Sequence, residues 1–199
     1  MFHVKHDPSA FVELTEAQRA QLQRYEGLLK THAIPRGLVA AADANRIHER
    51  HVLDSLRAAG SLPKGAITVV DLGSGAGLPG VPLAIARPDA SFLLVELRRA
   101  RAAFLELVVD TVPIPNATVH LGRVEDVRGP VDVCVARAFA PPAATWESAS
   151  RILRPEGLLL YWAGAGFDPL ADLPANVTTE FSSTTALANA GVVAIITSQ

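Results

Sequence analysis

The stretch VVDLGSGAGLPG, residues 69–80, sets an apolar run and an acid ahead of a burst of glycines. Gly73, Gly75 and Gly77 alternate, while Gly75, Gly77 and Gly80 also spell G-x-G-x-x-G. A turn of this composition between a strand and a helix lets a ligand approach backbone N–H groups closely, which suits a nucleotide or nucleoside. Two ligand chemistries fit. A dinucleotide brings a doubly charged pyrophosphate, which a carboxylate on Asp71, two residues before the first glycine, repels. S-adenosyl-L-methionine brings an ammonium and a sulfonium instead, so Asp71 favours it over NAD. Glu96 closes the next strand-like run, from where a carboxylate accepts hydrogen bonds from the ribose hydroxyls of either ligand.

A third loop follows at GRVEDV, residues 122–127. There Val124 is placed to cover an adenine face, and Glu125 or Asp126 to reach its exocyclic amine. Other candidate groups read as structural. Cys134, the one cysteine, lies in the apolar run VDVCVAR and reads as a buried thiol. His48 and His51 are three apart on a helix without a third ligand at useful spacing, so no metal is expected. Asp54 reads as a residue that orders a neighbouring loop or caps a backbone group.

These positions need a scaffold, and the chain supplies one. LTEAQRAQLQRYEGLLKTH repeats its apolar residues at helical intervals, with a Thr15/Gln18 capping-box pattern. A second helix is expected over residues 43–60, with Asp43 as N-cap, Ile47, His51, Leu53 and Leu56 near one face, and Gly60 as terminator. From Ala66 onward, strand-like runs (AITVVDL, SFLLVEL, ATVHL, VDVCVAR) alternate with helix-like stretches, the pattern of parallel β-α-β units. GLLLYWAG, NVTTEFSS and GVVAIITSQ add three strands, the last two as an antiparallel pair, and AGAGFDPLADLPAN reads as a loop. The expected fold is α/β: a Rossmann-like, mostly parallel seven-stranded sheet flanked by helices. Residues 1–62 are expected to form an N-terminal helical extension packed on a core of residues 63–199.

At 199 residues, 49% of them hydrophobic, the chain suits one well-buried globule. No apolar run reaches the roughly 20 residues that span a bilayer, and MFHVKHDPSAF lacks the apolar core of a signal peptide. No membrane association and a cytoplasmic location are expected. Charge is uneven: all 18 Lys and Arg lie in residues 1–154, so any basic face is confined there.

The runs ERHVLDSL (49–56), VVDLGSGAGLPGVPLAIARPD (69–89), VEL with Arg101 and FLELV (95–109), GRVED (122–126) and ARAFAP (136–141) resemble, in order, the bacterial small-subunit ribosomal RNA guanine-N7 methyltransferases, also called the glucose-inhibited division protein B family. The resemblance covers about residues 14–163. It implies a class I methyltransferase fold and methyl transfer from S-adenosyl-L-methionine to N7 of one guanine in 16S ribosomal RNA, free or in the small ribosomal subunit. Its cofactor contacts carry over to Gly73, Leu78, Val124, Glu125 and Arg137. The chain departs from the family pattern at Ala100 and Ala163, where lysines are usual, and lacks a Trp-Asn before the second helix.

Guanine N7 offers a lone pair directly, so no general base is expected and no catalytic residue is assigned; catalysis rests on alignment and on a pocket tolerant of cationic charge. RNA contacts are expected from Arg98, Arg99, Arg101 and Arg123 along the sheet's carboxyl edge, with Arg50 and His51 beside them. A monomer is expected. The missing lysines and near-neutral charge leave two alternatives: a small-molecule methyltransferase, or a non-catalytic ribosome-binding protein with a degenerate pocket. An NAD-linked dehydrogenase is disfavoured by Asp71.

Overall fold

The computed structural model describes residues 12–182, 187 and 190–199. The MFHVKHDPSAF segment and the last residue of NVTTEFSS lie outside them. Helix α1 (Glu16–Leu28) opens on the expected capping box: the Thr15 hydroxyl accepts from the Gln18 N–H at 3.2 Å, and the Gln18 side chain accepts from the Thr15 N–H at 2.8 Å. A π-helical turn, Leu29–Ala33, continues it. Leu22, Tyr25 and Leu29 on its inner face are buried.

The single helix expected over residues 43–60 is instead a broken one. A 3-10 turn (Ala41–Asp43), a π-helical stretch (Ile47–Leu53), helix α2 (Asp54–Leu56) and a second 3-10 turn (Ala59–Ser61) follow one another. Asp43 is not an N-cap and Gly60 is not a terminator. The Asp43 carboxylate instead receives Arg46 at 2.9 Å, His51 at 3.1 Å and Arg50 at 3.4 Å. Side-chain partners have taken the group that a cap would have given to backbone. Ile47, Leu53 and Leu56 do share a buried face, with His51 nearly enclosed beside them.

Beyond Ala66 the alternation holds. Strands β1 (Thr68–Leu72), β2 (Ser91–Glu96), β3 (Ala117–Leu121), β4 (Val131–Arg137), β5 (Leu153–Trp162), β6 (Val177–Phe181) and β7 (Val193–Ser198) form one seven-stranded sheet in the order β3-β2-β1-β4-β5-β7-β6. The first five strands are parallel, and β7 runs antiparallel to both β5 and β6. Helices α3 (Gly80–Ala86), α4 (Arg99–Thr111) and α5 (Pro142–Ser150) make the crossovers. The residues read as a loop after β5 contain one short helix, α6 (Pro169–Asp172), because Asp168 caps it by accepting from the Leu170 N–H at 3.0 Å.

Successive β1 side chains face opposite layers. Val69 joins the apolar cluster of α1, α3 and α4, while Val70 and Leu72 join the cluster around Trp146 and Leu159. Asp71 shares the Val69 face, which sends it under the helices. The sheet reverses its winding between β1 and β4, and the carboxyl ends diverge there to leave a crevice, the usual ligand seat of open α/β sheets.

Candidate active site

A cleft of about 290 Å³ opens along the carboxyl ends of β3, β2, β1 and β4. Gly73 after β1, Glu96 and Leu97 at β2, Gly122 to Glu125 after β3, and Ala138 and Phe139 after β4 line it, with Arg101 from α4. Parallel strands bring these positions together from 67 residues of chain because every strand end points to the same edge.

The three alternating glycines all have positive φ, yet only Gly73 lines the cleft. A Cβ built on Gly73 would stand 2.7 Å from the ring of Phe139. Gly77 faces inward, where a Cβ would meet the Tyr25 hydroxyl at 3.1 Å and Leu105 at 3.2 Å. It is a packing glycine. Gly75 serves through its backbone, donating to Glu96 Oε2 at 3.0 Å.

Glu96 is 4% exposed and holds the cleft together. Its Oε1 accepts from the Arg98 N–H at 2.8 Å, and Arg101 Nη1 lies 3.9 Å from Oε2. The third loop is pinned to the same strand end, since the Gly122 N–H donates to the Glu96 carbonyl at 3.1 Å. Val124 is buried under it while Glu125 is exposed, so the loop offers an apolar face and an acid.

Asp71 requires a correction. It is 1% exposed, does not line the cleft, and accepts from the Gly80 N–H at 3.1 Å under the first turn of α3. Burial pushes its carboxyl up to about 7, against smaller opposing help from the Ser74 and Gly80 hydrogen bonds. Among the described residues its other oxygen, Oδ1, has no hydrogen-bond partner. The carboxylate expected to face the ligand thus lies behind the turn, beneath the first turn of α3.

Leu78 and Arg137 are also elsewhere. Leu78 packs in the α1/α3 cluster. Arg137 turns toward the N-terminal segment, donating to Asp54 Oδ2 at 3.2 Å and to His51 Nδ1 at 2.9 Å. A guanidinium can only donate, so His51 carries its proton on Nε2 and gives it to Asp43. Burial and the Arg137 charge both hold His51 below the usual imidazole range, with Asp43 opposing them. Asp54 also accepts from Arg57 at 2.8 Å, and its carbonyl accepts from the Trp162 indole at 2.9 Å. His51 is thereby committed inside a polar cluster, not presented to solvent. Arg101, expected on an RNA face, instead sits in the cleft beside Glu96.

Arg98, Arg99 and Arg123 are exposed around the cleft mouth, and Arg50 is exposed beside Asp43. Burial pushes the Cys134 thiol well above its usual range. Among the described residues no group of three or more His, Cys, Asp or Glu is placed to hold a metal ion, and no helix is long and apolar enough to cross a membrane. Leu97, Gly122, Ala138 and Phe139 line the cleft without having been singled out in the sequence. Their one signal was position, directly after a strand end.

A model of the GidB family, described as rRNA small subunit methyltransferase G, matches residues 18–183. A protein named ribosomal RNA small subunit methyltransferase G from Acidothermus cellulolyticus is 40% identical over 142 residues, covering 71% of this chain and 64% of that protein. A protein of the same name from Mycobacterium sp. strain JLS is 40% identical over 173 residues, covering 83% and 74%. The chain thus spans about two thirds of the length of these relatives. Among solved structures, the O-methyltransferase TomG from Streptomyces achromogenes in complex with SAM superposes with a TM-score of 0.58 at 15% identity, covering 96% of this chain and 93% of that one. Aeropyrum pernix fibrillarin with natively bound S-adenosyl-L-methionine gives 0.53 at 17% identity over 68% of each chain. Those two share the fold, the Rossmann-like fold of methyltransferases. The sequence matches go further, and by them the chain belongs to the GidB family of small-subunit rRNA methyltransferases.

Proposed function

We propose that this protein transfers a methyl group from S-adenosyl-L-methionine to N7 of a guanine in 16S ribosomal RNA. The observation that carries the reading is the run of cleft residues in strand order, with Gly73, Glu96 and Val124–Glu125 on three successive loops of one sheet edge. They suit the cofactor chemically. Gly73 leaves a cradle that any Cβ would fill against Phe139, and Glu96 turns a carboxylate toward the space where ribose hydroxyls need an acceptor. Val124 and Glu125 offer an apolar cover and an acceptor for an adenine amine. Bound there, S-adenosyl-L-methionine supplies an electrophilic methyl on a positively charged sulfur.

The chain's own residues then have to orient rather than to move protons. Guanine N7 attacks through a free lone pair, so the work is alignment and accommodation of positive charge. Arg98, Arg99 and Arg123 on the rim suit phosphate contacts. Arg101, held near Glu96, belongs on this reading to the cofactor cleft. Residues 12–62 brace the core at residues 63–199, the protein acts as a monomer in the cytoplasm, and its partner is 16S rRNA or the small ribosomal subunit that contains it.

Incubation with tritiated S-adenosyl-L-methionine and small subunits from cells lacking the modification tests this. Label at a guanine N7 of 16S rRNA is the expected result. Its absence, with cofactor binding intact, overturns the substrate assignment.

A further inference from the structure

Phe139 is the only aromatic residue among the described residues that line the cleft. Its ring is half-buried and lies against Gly73, close enough that a Cβ there would collide with it. The residue before it, Ala138, has φ +56, a left-handed conformation uncommon for non-glycine residues. The residue after it is fixed. The Ala140 carbonyl accepts from the Thr145 hydroxyl at 2.9 Å and from the Tyr161 hydroxyl at 3.4 Å, and Pro141 leads directly into α5. A left-handed residue and a doubly held carbonyl thus present one aromatic ring at the β4 end of the cleft.

Position gives that ring a partner. On the proposed function, Glu96 after β2 and Val124 after β3 take the nucleoside, so the reactive end of the cofactor lies past Gly73, toward β4. The base that accepts the methyl must approach there. We infer that Phe139 is the platform on which the target guanine stacks, and that its face stabilises the positive charge the base acquires. In the transfer step the N7 lone pair forms the bond to the methyl carbon as the carbon–sulfur bond breaks and its electrons stay on sulfur. No proton moves, and the charge passes from sulfur to the guanine imidazole ring. An aromatic face attracts such a cation more strongly than the neutral base, so the contact grows along the reaction coordinate. Single bases in RNA are commonly held in this way, by stacking on an aromatic side chain.

This inference rests on the proposed function, and the test separates the two. Wild type, Phe139→Leu and Phe139→Trp are compared by calorimetric affinity for S-adenosyl-L-methionine and by single-turnover methylation of unmodified small subunits. In parallel, small subunits carrying 6-thioguanine in place of the accepted guanine are irradiated with wild type in the presence of S-adenosylhomocysteine, and the cross-linked peptide is identified. Expected are a methylation rate, measured at saturating S-adenosyl-L-methionine as set by the calorimetric affinities, lowered roughly tenfold or more by leucine and restored by tryptophan, and a cross-link to the peptide containing Phe139. A leucine variant that methylates at the wild-type rate once cofactor is saturating overturns the stacking role, as does the absence of a cross-link at that peptide. A wild-type protein that labels no guanine overturns the proposed function itself.

Discussion

Two polar regions sit side by side on the carboxyl edge of the sheet and are used in opposite ways. Around Gly73 and Glu96, charges and backbone donors are arranged about an open space. Around Asp54, the charges of Arg57, Arg137, His51 and Asp43 are spent on one another, with Arg57 3% and Asp54 14% exposed. Both regions contain residues from the most distinctive stretches of the sequence. A recurring polar motif therefore marks either a ligand seat or the ionic joint that keeps the seat in place, and only the partners of each side chain tell which.

The sharpest way to break this division is Gly73→Val. A β-branched residue at φ +67, driven against Phe139, should abolish cofactor binding, a loss of at least about a hundredfold (~2.7 kcal/mol). Calorimetry on a variant with unchanged circular dichroism checks it. Asp54→Ala strikes the other region. Removing the carboxylate shared by two enclosed arginines should lower unfolding stability by about 3–5 kcal/mol, read from urea melts, while cofactor affinity in the folded fraction is largely kept. Equal stability in variant and wild type would show that the joint contributes nothing.

Smaller effects sharpen the boundary. Glu96→Gln should weaken cofactor binding by about tenfold, the scale of a lost charged hydrogen bond, and should also loosen the glycine turn that the Gly75 N–H ties to it. Acid should act on the joint through His51. Because His51 titrates lower in the folded chain than its unfolded value near 6.5, the unfolded state binds more protons below that pH. The His51 contribution to stability should fall as pH drops below about 6.5 and level off once the folded imidazole is itself protonated, while Asp71, raised to about 7 by burial, contributes with the opposite sign over the same range, so the His51 part is read as the difference between wild type and variant. His51→Gln should remove that part of the slope. The mildest expected outcome is the most diagnostic: Asp71→Asn should change cofactor affinity by less than about threefold, since the group is behind the turn. A large loss would return Asp71 to the ligand.

Much of this architecture is legible in residue order alone. Strand-like runs of five to nine residues between turn signals mark every strand, although β5 starts four residues ahead of its run, and Thr15 with Gln18 marks where α1 starts. Glu96 and Val124 could be assigned to one cleft from sequence because parallel strands must end at a common edge. What could not be read was the facing of each group. Whether Gly73 or Gly77 meets a ligand depends on Phe139 and Tyr25, which lie tens of residues away, and no local spacing encodes them. Arg137 looked like a cofactor ligand from its motif, but His51 and Asp54, more than 80 residues earlier, claim its guanidinium first. The broken second helix likewise places Asp43 among Arg46, Arg50 and His51, partners that local spacing alone does not reveal.

The Tyr25 hydroxyl donates to the Ala76 carbonyl at 2.7 Å, inside the glycine turn and directly beneath its ligand side. Occupancy above and docking below therefore share one hinge of backbone, and thermodynamic reciprocity couples them. Adding S-adenosyl-L-methionine should slow amide hydrogen exchange in α1, some fifty positions upstream, and a chain shortened past Tyr25 should register first as a weakened grip on the cofactor.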